Sequence, residues 1–143
     1  MAVDLEQELK RTTEIRGFRF GLHDFVAQLK GADALKKHND AIEASYLRKS
    51  LLDRKTKELI FIVSLTSMRA TKAHIQSHIK VALELGCTPE EILEAIEISM
   101  PEAGVVAFQE GFNAWAEVVG APALEPTTDV AGNRTNNHKE RED

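Results

Sequence analysis

The sequence predicts an all-α protein, a single-domain bundle of about six helices. Hydrophobic residues recur at helical spacing along most of the chain, while period-2 alternation is never sustained. Aromatic residues, which strands favour, make up only 6%. At 143 residues the chain is long enough for one compact core and short for two domains.

Taken in order, Leu5 and Leu9 suggest a short amphipathic opening helix. Phe18, Leu22, Phe25, Val26 and Leu29 then share one helical face, which Gly31 stops. Asp33 can cap a less regular segment carrying Leu35, Ile42, Tyr46 and Leu47 and running to about Leu51. Asp53 is the expected N-cap of a helix holding Leu59, Ile60, Phe61, Ile62, Val63, Leu65 and Met68. That helix is apolar nearly all round, so it should be buried on most sides. Its β-branched run could form a strand, but neither flank carries a turn signal.

The next helix spans about Thr71 to Leu85. Its helical wheel puts His74 and His78 on one arc with Ile75, Ile79 and Val81, opposite Gln76, Lys80 and Glu84. Both histidines should therefore face protein. Gly86 is a natural C′ residue, and Thr88-Pro89-Glu90-Glu91 reads as a capping box with proline at N1. Ile92, Leu93, Ile96 and Met100 give the following helix its apolar face until Pro101 ends or kinks it. Phe108, Phe112, Trp115 and Val119 mark a last helix, closing at Gly120. The resulting division is 1–52 for the N-terminal helices, 53–120 for the core and 121–143 for a disordered tail.

A formal charge of −5 argues against binding nucleic acid or anionic membranes, both of which want a basic surface. The longest apolar run, Leu59 to Val63, is far short of the roughly 20 residues that cross a bilayer. Cys87 is the one cysteine, so no internal disulfide can form, and no secretory signal opens the chain. A cytoplasmic location is the expectation.

Three groups stand out chemically. His74 and His78 can be structural, can move protons near neutrality, or can ligate a metal. Burial lowers an imidazole pKa and a neighbouring carboxylate such as Glu58 opposes that. Glu58 itself can be either a site residue or an exposed first-turn acid favoured by the helix dipole. The metal alternative would use Glu58, His74 and His78 around a divalent ion such as zinc. However, Ile75 stands where helical zinc enzymes carry a glutamate beside the first histidine. Cys87 precedes a helix N-terminus but has no resolving partner. Arg69 and Lys72 precede or open the histidine helix, where they can meet an anionic substrate.

Leu52-Asp53-Arg54-Lys55-Thr56-Lys57-Glu58-Leu59-Ile60, the run from Ser77 through Gly86-Cys87-Thr88-Pro89-Glu90-Glu91-Ile92, and Ala103-Gly104 resemble the carboxymuconolactone decarboxylase family. The superfamily also includes the alkyl hydroperoxidase D-like proteins, and the resemblance covers roughly residues 50 to 120. It implies the all-α alkyl hydroperoxidase D-like fold, with protomers assembled as trimers or hexamers. Peroxidase-type members resemble Glu … Cys-x-x-Cys-x-x-x-His. With the histidine aligned on His78, Thr71 and His74 stand where both cysteines would be, so a disulfide cycle is disfavoured.

The resemblance therefore implies the decarboxylase-like branch, which needs no cofactor; the alternatives are a divergent metal-binding or lyase/isomerase member, or a non-catalytic oligomer. The reaction of that branch is loss of carbon dioxide from γ-carboxymuconolactone in aromatic-compound degradation. By analogy His78 is the acid, Glu58 its orienter, His74 a further catalytic candidate and Arg69 the contact to a small carboxylate substrate. Two departures lie near the expected pocket. Glu102-Ala103-Gly104-Val105-Val106 replaces a Tyr-Ala-Gly-x-Pro-like segment, and His74 is unusual for that branch.

Overall fold

The computed structural model describes residues 2–122, so the expected tail lies almost wholly outside the described residues. Seven α-helices and no strand are present among them, one helix more than expected. They are α1 (Leu5–Arg16), α2 (Gly21–Lys30), α3 (Ala32–Ile42), α4 (Arg54–Ser67), α5 (Lys72–Glu84), α6 (Pro89–Ala103) and α7 (Val105–Val119). No helix is long and apolar enough to cross a membrane.

Helices α4 to α7 form one layer, with α4 on α5 and α6, and α7 on α5 and α6. Ile62, Ile75, Ile79, Ile92 and Ile96 are fully buried at its centre. The anticipated caps define its helices. Asp53 accepts from the Thr56 amide at 2.7 Å, and Thr88 and Glu91 close a reciprocal box at 3.1 and 2.8 Å. Pro101 lies inside α6 without ending it, since the helix continues to Ala103.

Helices α1 to α3 form a second layer, in which a polar cluster joins buried Ile15, Ala27 and Leu35. Asn39 of α3 is fully buried and donates to the Glu8 carbonyl and to Glu8 Oε2, both at 3.0 Å. Arg11 adds ion pairs to Glu8 at 3.2 Å, to Asp40 at 2.8 Å and to Glu43. Gly31, not Asp33, separates α2 from α3; no side chain caps α3. Beyond Ile42 the chain widens into a π-helical turn, Glu43–Leu47, which buries Tyr46 and ends before Leu51. Lys57 of α4 fastens that turn by donating to the carbonyls of Tyr46 and Arg48, each at 3.2 Å.

The expectation that α4 is covered on most sides is not met within the described residues. Ile60 remains 52% exposed beside Ile98 of α6, and Leu22, Phe25 and Leu29 turn the predicted face of α2 outward. Phe18 also belongs to the connection before α2, so the inferred five-residue stripe does not form one helical face.

Gly17 joins the layers. Its φ of 78° is left-handed, and a Cβ there would lie 2.6 Å from Val81 Cγ2 of α5. Only glycine satisfies both constraints cheaply. Gly17→Ala should cost on the order of 2–4 kcal/mol in urea unfolding, combining the left-handed penalty with overpacking. In a double-mutant cycle with Val81→Ala, the costs should be less than additive, because only the steric part is relieved.

Candidate active site

The start of α4 places Glu58 inward. Asp53 fixes the first turn, and Glu58 follows on the face turned toward α5, where none of its surface reaches solvent. The exposed-acid reading of Glu58 is thereby overturned. Its Oε2 lies 2.8 Å from His78 Nδ1, and its Oε1 accepts from Arg54 Nε at 3.3 Å. Arg54 also donates through Nη2 to the Ile15 carbonyl at 3.2 Å, and its guanidinium lies 3.9 Å over the Tyr46 ring. Burying the Arg54 cation lowers its pKa.

His78 is buried, with the Phe61 ring stacked on it at 5.0 Å and the Phe18 ring edge-on at 5.1 Å. A carboxylate can only accept, so the proton in the Glu58 contact belongs to Nδ1. That leaves Nε2 without a protein partner among the described residues. His74 lies one turn earlier, half-buried, with its ring stacked 5.7 Å from that of His78 and the Phe20 ring edge-on at 5.2 Å. Its pKa is lowered by burial first, then by the neighbouring His78 and Arg16.

Both histidines line a cavity of about 310 Å³. Phe18, Phe61, Leu65 and Met68 make its wall largely apolar; Arg16, Tyr46, Ser45 and Ser64 add polar groups beside the histidines. This volume sits at the small end of the roughly 300–1,000 Å³ typical of ligand sites. A wider surface depression lies along the outer face of α1, away from Glu58 and His78.

The model of the carboxymuconolactone decarboxylase family matches residues 32–117, well over half of the sequence. The chain belongs to this family. No curated protein and no solved structure matches it. The family match contains Glu58, His74 and His78, but it begins after α1 and α2, so Arg16 and Phe18 come from chain outside it.

Of the residues singled out in the sequence, Glu58, His74 and His78 are brought together. Arg69 is not: it sits exposed in the turn after α4, at a φ of 54°, and does not line the cavity. Lys72 pairs instead with Glu117 of α7 at 2.6 Å. Glu58, His74 and His78 do not converge as a ligand set; no three His, Cys, Asp or Glu side chains do so among the described residues. Cys87 belongs to the core, where burial raises its pKa, an environment opposite to that of a reactive thiol.

The place of Arg16 and Tyr46 in the cavity wall is not legible in the sequence. A basic residue closing a helix looks like an ordinary favourable partner of the helix dipole. Tyr46 is the only tyrosine, in a segment whose period is broken by the π-helical turn.

Glu58→Ala should destabilise the protein by about 3 kcal/mol in urea unfolding, because it strips Arg54 of its buried counter-charge. Glu58→Gln should cost less. A second expectation concerns pH. Burial lowers the pKa of both His23 and His74, and His23 Nδ1 also accepts from the Phe20 amide at 3.1 Å. Below the ordinary imidazole pKa near 6.5 the unfolded chain binds protons that the folded chain resists. The Tm should therefore fall as pH drops from 7 to 5.5, and His74→Gln should make that fall shallower.

Proposed function

We propose that this protein is a cofactor-independent decarboxylase-like enzyme acting on a small carboxylated lactone of the γ-carboxymuconolactone type in aromatic-compound degradation. The observation that carries the reading is the buried Glu58–His78 pair, which commits Nδ1 to the carboxylate and leaves Nε2 for the cavity. A small, mostly apolar chamber suits loss of carbon dioxide, since a desolvated carboxylate gives up its charge more readily than a hydrated one.

In the proposed reaction the bond between the ring carbon and the departing carboxylate breaks. Carbon dioxide leaves, and the electron pair passes into the unsaturated lactone. His78, as the imidazolium, delivers its Nε2 proton to the resulting carbanion, and solvent later returns a proton to the imidazole. Glu58 holds the ring in position and stabilises the cation. Arg54 holds the other oxygen of Glu58 and so fixes the carboxylate that orients the His78 ring. His74, kept neutral by burial, forms part of the wall next to the reacting ring.

The same reading takes the protein as a cytoplasmic homo-oligomer. Ile60 and Ile98, exposed along the groove between α4 and α6, support a second copy covering that face.

Consumption of γ-carboxymuconolactone, followed by ultraviolet absorbance, should fall about 10²–10⁴-fold in His78→Gln and by a smaller factor in Glu58→Gln. Turnover should survive prolonged treatment with a metal chelator. Wild-type protein that leaves the lactone unchanged would overturn the proposal.

A further inference from the structure

The Arg16 guanidinium is the least satisfied group among the described residues. Its Nε and Nη2 are buried and make no hydrogen bond, and no carboxylate among the described residues pairs with it, in contrast to Arg11 and Arg54. Burial lowers its pKa, as expected of a cation taken partly out of water without a counter-charge. Tyr46 is 7% exposed, yet its hydroxyl also lacks a partner. Both residues line the cavity that holds His78. A buried charge and a buried hydroxyl left unpaired each cost stability, so such groups in one small chamber are the signature of a site completed by a ligand.

We propose that Arg16 and Tyr46 form a subsite that binds one carboxylate of a small organic acid, a carboxylate retained through the reaction. The chemistry follows from the donors. A guanidinium offers a planar fork to a carboxylate, and a tyrosine hydroxyl can donate beside it. The aromatic walls Phe18 and Phe61 suit an organic ring more than a hydrated inorganic anion. The bound carboxylate is not the one expelled, because a cation fixed on a departing carboxylate stabilises the ground state whose charge must disperse. The retained-group assignment rests on the decarboxylase reading above; the subsite itself does not.

Binding of benzoate, its neutral isostere benzamide and inorganic phosphate to the whole protein, measured calorimetrically, tests this directly. Benzoate should bind at least about tenfold more tightly than benzamide or phosphate, and should raise the Tm. Arg16→Met should weaken benzoate about 10–100-fold while leaving benzamide unchanged, the loss expected for a charged hydrogen bond. Without ligand its Tm should equal or exceed that of the wild type, because an uncompensated charge has been removed. Tyr46→Phe should weaken benzoate by a smaller factor. Arg16→Lys keeps the charge but loses the fork, so its benzoate affinity should fall between wild type and Arg16→Met; it serves if the methionine variant fails to fold.

Equal binding of benzoate and benzamide, a preference for phosphate, or unchanged benzoate affinity in a folded Arg16 variant would overturn the subsite. Arg16-dependent benzoate binding without any γ-carboxymuconolactone turnover would retire the decarboxylase reading and leave the subsite standing. Full turnover by Arg16→Met would overturn the retained-carboxylate assignment and leave the decarboxylase reading standing.

Discussion

The structure depends on one buried negative charge. Glu58 has no contact with solvent, and an isolated carboxylate in that setting would be protonated or expelled. It is held because Arg54 and His78 supply donors to its two oxygens from within its own helix and from α5. The arrangement spreads outward from there. Arg54 also reaches the carbonyl of Ile15 at the end of α1 and lies over the Tyr46 ring in the π-helical turn. One carboxylate thus ties together four segments that are distant in sequence, and it orients an imidazole as it does so.

The two helical layers divide the work. Helices α4 to α7 provide the apolar core and the Glu58–His78 pair, all within the stretch matched to the family. Helix α1 and the connection after it lie outside that stretch, and they contribute Arg16 and Phe18 to the cavity. The Glu58–His78 pair thus lies wholly within the matched stretch, whereas the cavity wall draws on both parts of the chain. Gly17, packed against Val81, sets the distance between those parts. The polar clamp of Glu8, Asn39 and Arg11 keeps α1 seated where apolar burial alone is modest.

Much of the core was legible because its signals are local. Asp53 and the Thr88–Glu91 box satisfy amides within one turn, so their role follows from spacing alone. The inward direction of His74 and His78 follows equally from helical periodicity. Elsewhere periodicity misled. Phe18 shares a spacing with Leu22, but Gly17 and the extended residues after it put Phe18 against the histidines and leave Leu22 in solvent. Pro101 can end or kink a helix, and α6 continues through it for two residues. Arg69 was favoured for standing near the histidine helix in sequence, whereas the turn carries it to the surface.

The sequence by itself determined that the chain is helical, where the core helices begin, and that two imidazoles face inward, since each depends on residues within about two turns of one another. Only the tertiary structure decided which carboxylate meets which imidazole, and that the unmatched cation at the end of α1 enters the same cavity. Those facts rest on how helices cross and how closely glycine lets them approach. Spacing along one helix carries no information about the face of another.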